Sequence, residues 1–93
     1  MNQNMVKKLQ KMQREMQETQ ERLQMTEFEG KASGVTVVML GSHQVVDLRI
    51  DEELLEDKDM LQDAIVVAIN NAVEVVDKKT QEEMGKFTMG MGF

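Results

Sequence analysis

Val35-Thr36-Val37-Val38-Met39-Leu40-Gly41-Ser42-His43-Gln44-Val45-Val46-Asp47-Leu48-Arg49-Ile50 is the stretch on which the fold turns. Its two runs are β-branched and alternate with a period of two, which predicts strands over Val35–Leu40 and Val45–Ile50. Gly41-Ser42, with His43 beside it, marks the hairpin turn between them. Upstream, Thr26–Ala32 with Phe28 is a third candidate strand, and Ser33-Gly34 supplies its turn. In the 35–40 strand, Val35, Val37 and Met39 share one face, Val38 and Leu40 the other, and Thr36 is the only polar side chain. Both faces therefore need cover. A 93-residue chain has room for two long helices at most. One face can take the chain's own helix, while the other face, or an open sheet edge, calls for a second copy. A homodimer is expected, with Val35, Val37, Met39, Val46 and Leu48 at its interface.

Before the strands, the period is helical. Met5, Leu9, Met12, Met16, Thr19 and Leu23 recur at alternating spacings of four and three, one apolar seam of a helix from about residue 4 to 25. Asn2 or Asn4 can cap its start. Residues 1–14 hold Lys7, Lys8, Lys11 and Arg14 and no acid, although the chain as a whole has a formal charge of −6. Lys7, Lys11 and Arg14 are expected opposite the seam, and Glu18 and Glu21 continue that stripe. The macrodipole favours the reverse order, acids first, by roughly 0.3–1 kcal/mol per charge. Lys11–Glu15 and Arg14–Glu18 are also in the less favourable i, i+4 order. Helix stability does not account for this polarity, which makes the basic half a candidate surface for an anionic partner. A solvated face without a partner is the alternative reading.

After the strands comes an acidic block, Asp51, Glu52, Glu53, Glu56, Asp57 and Asp59, read as a turn over 51–57. Leu54-Leu55 supplies an apolar turn within it, and Asp57 or Asp59 can cap the next helix. The block has neither the ligand spacing nor the glycine of a calcium loop, so no metal site is expected. A second helix, about 58–84, puts Leu61, Ala64, Ile65, Ala68, Ile69, Ala72, Val73 and Val76 on a wide apolar face. Asn70-Asn71 is a poor helix-forming pair there, explained by exposure or by a polar contact across an interface. Lys78, Lys79 and Lys86 form a second basic cluster, diluted by Asp77, Glu82 and Glu83. Residues 85–93, Gly- and Met-rich without a period, are expected to form a flexible tail after a single domain over 1–84.

Composition narrows the functional classes. The chain has 17 acidic and 11 basic residues, ten Met, and no Cys, Pro, Trp or Tyr. Without cysteine there is neither a disulfide framework nor a thiol nucleophile, and a reducing cytosol is the natural compartment. The longest apolar run, Ala64–Ile69, is far short of a membrane span. His43 is the only histidine, and no nucleophile–base spacing, glycine-rich phosphate loop or zinc pattern accompanies it. No enzyme, cofactor, membrane or small-molecule substrate is expected. Two readings stay open: a nucleic-acid-binding dimer, favoured by the basic patch, and a protein–protein adaptor using the first helix's seam, favoured by net acidity and the heptad repeat.

The ordered set Met12-Gln13-Arg14-Glu15-Met16-Gln17, Phe28-Glu29-Gly30-Lys31-Ala32-Ser33-Gly34-Val35, Leu40-Gly41, Ile50-Asp51-Glu52-Glu53-Leu54-Leu55, Met60-Leu61-Gln62-Asp63 and Ala68-Ile69-Asn70-Asn71-Ala72 resembles the YbaB/EbfC nucleoid-associated proteins over nearly the whole chain. The resemblance implies an α+β fold with a long N-terminal helix, a three-stranded antiparallel sheet and a long C-terminal helix, in a tweezer-like homodimer. It also implies loose-specificity binding of double-stranded DNA in the bacterial cytoplasm and nucleoid, with effects on DNA conformation and gene expression. On this chain the DNA-binding positions it suggests are Lys7, Lys8, Lys11 and Arg14, with Lys78 and Lys79 on the last helix. Ser33-Gly34 is leaner than the family's usual Gly-rich turn, Glu52 stands where Pro is frequent, and the tail lacks the usual Pro-Gly.

Overall fold

The computed structural model describes residues 2–89. Its element order is α1 (Gln3–Met25), β1 (Glu27–Ala32), β2 (Val35–Leu40), β3 (Val45–Ile50), a short 3-10 turn (Glu52–Glu56) and α2 (Lys58–Met89). This is an α+β fold, with the sheet an antiparallel meander in the order β1-β2-β3.

Local chemistry sets the boundaries. The Asn2 side chain accepts from the Asn4 N–H at 2.9 Å and so caps α1. At the other end the Thr26 N–H donates to the Leu23 carbonyl, and its hydroxyl donates to the Arg22 carbonyl at 2.7 Å. Ser33 and Gly34 both have positive φ, 35° and 88°, the backbone of a two-residue turn whose twist suits paired strands. The longer β2–β3 turn closes through the His43 N–H on the Leu40 carbonyl at 2.8 Å, with His43 at φ 72°. Asp57 caps α2, accepting from the Met60 N–H at 3.1 Å. Gly85 does not stop this helix, which was expected to end near Met84 and runs on to Met89. One helical glycine costs only about 1 kcal/mol relative to alanine, and Phe87 beyond it lines the groove against α1, so tertiary contact outweighs propensity. Residues 90–93, the rest of the expected tail, lie outside the described residues.

The core is the α2 face Ala64, Ala68, Ala72 and Val76 laid on Val35, Val37 and Met39, with Leu54 closing one end. Small residues bring helix and sheet into near-backbone contact. A Cβ on Gly30 of β1 would fall on the backbone nitrogen of Ala72 and the carbonyl oxygen of Ala68. A Cβ on Gly41 would collide with the Leu23 carbonyl at the end of α1. Asn71, whose role the sequence left open, donates from Nδ2 to the Lys31 carbonyl at 2.9 Å and ties α2 to β1.

This packing corrects part of the expected dimer interface. Val35, Val37 and Met39 are at most 2% exposed inside the chain's own core, so their side chains cannot meet a second copy. The opposite sheet face is not an apolar surface awaiting cover either. Val38 is paired in register between Glu29 and Asp47, and Arg49 donates a hydrogen bond to Asp47 at 3.1 Å and forms an ion pair with Glu29 at 3.8 Å. With Lys31 beside Glu29 at 3.8 Å, long charged side chains shield that face. Val46 and Leu48, by contrast, stand 46% and 44% exposed on β3.

Candidate nucleic-acid interface

Only the last turns of α1 reach the sheet; the rest runs beside the C-terminal half of α2 and forms an elongated arm. The molecule is 67 Å in its longest dimension and 22 × 11 Å across. Of the seam, Leu23 is buried, Met12, Met16 and Thr19 are half-buried, and Met5 and Leu9 are exposed. Part of the apolar stripe that an adaptor would offer is thus already used within the chain.

The four N-terminal cations occupy the part of α1 farthest from the sheet. Lys7 and Arg14 point away from the seam, as the helical period requires. Lys11, expected with them, instead flanks the seam and joins Lys8 in lining an open groove of ≈ 670 Å³ between α1 and α2. Lys11 reaches Glu15 at 4.0 Å; among the described residues Lys7, Lys8 and Arg14 make no ion pair. An exposed pair of this kind contributes little stability and leaves its cation available.

Lys78 and Lys79 part company. Lys78 is exposed and without an ion pair among the described residues, while Lys79 reaches Glu83 at 3.5 Å. The arm separates them from the N-terminal group: Arg22, level with Glu83, is eight residues past Arg14, about 12 Å along the helix. Sequence reasoning missed the grouping of Arg22 with Lys79 and Lys86. Glu83 brings them together, at 3.5 Å from Arg22, 3.5 Å from Lys79 and 3.1 Å from Lys86. The Lys86 hydrogen bond and charge, with a smaller contribution from Lys79, hold the Glu83 carboxyl below its usual range. Its signal in sequence was local, a glutamate with Lys at i−4 and i+3, but Arg22 comes from the other helix.

His43 also has a partner. Its Nε2 lies 2.8 Å from Asp77 Oδ1, joining the β2–β3 turn to α2. Among the described residues no group of His, Asp or Glu is arranged to hold a metal ion, and no helix is long and apolar enough to cross a membrane.

A small α+β body with a cation-bearing helical arm suits a polyanionic ligand, and comparison with known proteins agrees. Residues 1–91 match the YbaB/EbfC DNA-binding family, and the chain belongs to it. A nucleoid-associated protein of Ligilactobacillus salivarius is 43% identical over 90 residues, covering 92% of this chain and 86% of that protein. One from Enterococcus faecalis is 43% identical over 93 residues, covering 96% and 89%. The crystal structure of an uncharacterised protein from Helicobacter pylori shares the fold with a TM-score of 0.72 at 28% identity, covering 96% of this chain and 97% of that one.

Proposed function

We propose that this chain is a nucleoid-associated protein that binds double-stranded DNA as a homodimer, through the phosphate backbone and with loose sequence preference. The observation that carries the reading is the acid-free distal half of α1, where Lys7, Lys8, Lys11 and Arg14 stand exposed on an arm of an otherwise acidic molecule. Such cations displace condensed counterions from DNA, which supplies affinity without reading bases. Lys78, exposed on α2 and apart from this group, is a further cation open to the backbone. The action is architectural rather than enzymatic, and its place is the bacterial nucleoid within the cytoplasm. Bound arms would alter DNA conformation and, through it, gene expression. The adaptor alternative has no support in the comparisons.

The homodimer rests on β3. β3 is an edge strand of the sheet, and the α2 helix lies over β1 and β2, leaving Val45, Val46 and Leu48 exposed. On the flank of α2 opposite Asn71, and so toward β3, Ile65, Ile69 and Val73 are only half-buried. An exposed apolar edge of this kind is a template for another strand, and a second copy would cover both β3 and that flank.

The test is fluorescence anisotropy of labelled duplexes with unrelated sequences, titrated with the purified protein. Comparable affinity for both, weakening steeply as salt rises, is expected. Absence of duplex binding at low salt overturns the proposal.

A further inference from the structure

The Glu83 cluster is unbalanced. One carboxylate, 18% exposed, faces three cations whose side chains are themselves exposed: Arg22 from α1, and Lys79 and Lys86 from α2. Two of these ion pairs lie within α2 at the ordinary i, i+4 and i, i+3 spacings, and helix stability accounts for them. It does not account for Arg22, which comes from a different helix. Glu83 Oε2 is shared between Arg22 Nη2 and Lys86 Nζ, while Oε1 faces Lys79 Nζ. Three donors thus converge on one singly charged oxyanion at the wall of the groove that also holds Lys8 and Lys11 and, beside them, Glu15 and Glu18. A phosphodiester presents the same charge on two non-bridging oxygens and suits the same donors.

We infer that Arg22, Lys79 and Lys86 form a second phosphate-binding site, for the DNA backbone, and that Glu83 occupies it in the free protein as an internal surrogate. The inference rests on the DNA-binding reading above and adds to it a site that is masked until the carboxylate is displaced. The four N-terminal cations set the basal affinity, and the Glu83 cluster is a reserve that Glu83 holds back.

The experiment is a double-mutant cycle read by duplex affinity against salt. Glu83→Gln should raise affinity and steepen the slope of log affinity against log salt by roughly 0.9 for each additional phosphate neutralised. Glu82→Gln removes the same charge from a neighbouring exposed residue without an ion pair among the described residues, and should leave the slope unchanged. Lys86→Gln should change wild-type affinity little and yet cancel much of the increase in the Glu83→Gln background. Equal effects of Glu83→Gln and Glu82→Gln overturn the inference, as does a Lys86→Gln loss of the same size in both backgrounds. Should Glu83→Gln lose helix content by circular dichroism, the single Lys86→Gln variant decides: a loss as large as that of Lys7→Gln shows Lys86 unmasked and refutes the proposal. A wild type that binds no duplex overturns the underlying DNA reading itself, whereas the other failures leave it standing.

Discussion

Replacing Lys7, Lys8 and Arg14 by Gln removes the three N-terminal cations that have no intramolecular partner among the described residues, and leaves Lys11 in place. Four cations on each of two protomers give an upper bound of eight neutralised phosphates. At about 0.9 per phosphate, log affinity should fall against log salt with a slope near −7. The variant keeps one of the four on each protomer, so two phosphates remain engaged and the slope should flatten to about −2. Between about 50 and 200 mM salt the wild type would then lose roughly ten-thousandfold in affinity and the variant roughly tenfold. The fold should be unaffected, because Gln matches Lys and Arg in helix propensity and removing cations near a helix N-terminus favours its dipole. Anisotropy of a labelled duplex over a salt series measures the slope, with circular dichroism and light scattering on the same samples. A variant with native helicity and mass but an unchanged slope would refute the assignment of phosphate binding to α1.

Gly30→Ala should be among the most destabilising single changes, by about 3 kcal/mol or more, since its methyl group meets α2 backbone that cannot give way as a side chain can; thermal or urea denaturation will show it. Leu48→Arg and Val46→Lys, both at exposed positions, should leave the protomer folded and shift light-scattering mass from dimer toward monomer at micromolar concentration; an unchanged dimer would exclude the β3 edge. Because the folded-state pKa of Glu83 is lowered, its ion pairs stabilise the arm above the ordinary value of 4.5 and are lost as pH falls through the lower folded value. Thermal melting followed at 222 nm should therefore weaken over that acidic window, and the Glu83→Gln variant should lack that component.

Much of this protein was determined by local sequence. The switch from a four-and-three spacing to a spacing of two, with Ser33-Gly34 and Gly41-Ser42 between the runs, placed α1 and three strands within a residue or two. The acid-free start of α1 was equally legible, because a helix carries its charge pattern wherever it packs. The family could be recognised for the same reason, from short motifs in fixed order. The tertiary structure alone decided which apolar residues stay inside. Alternation divides β2 into two faces but cannot say that α2 takes Val35, Val37 and Met39, nor that Glu29, Asp47 and Arg49 hide Val38. It also made Gly30 a point of close approach for Ala68 and Ala72, carried α2 past Gly85 and set Arg22 against Glu83. Each of these depends on segments far apart in the chain meeting at van der Waals or ion-pair distance. Such meetings arise from how the elements pack together, whereas period and capping act within a few residues.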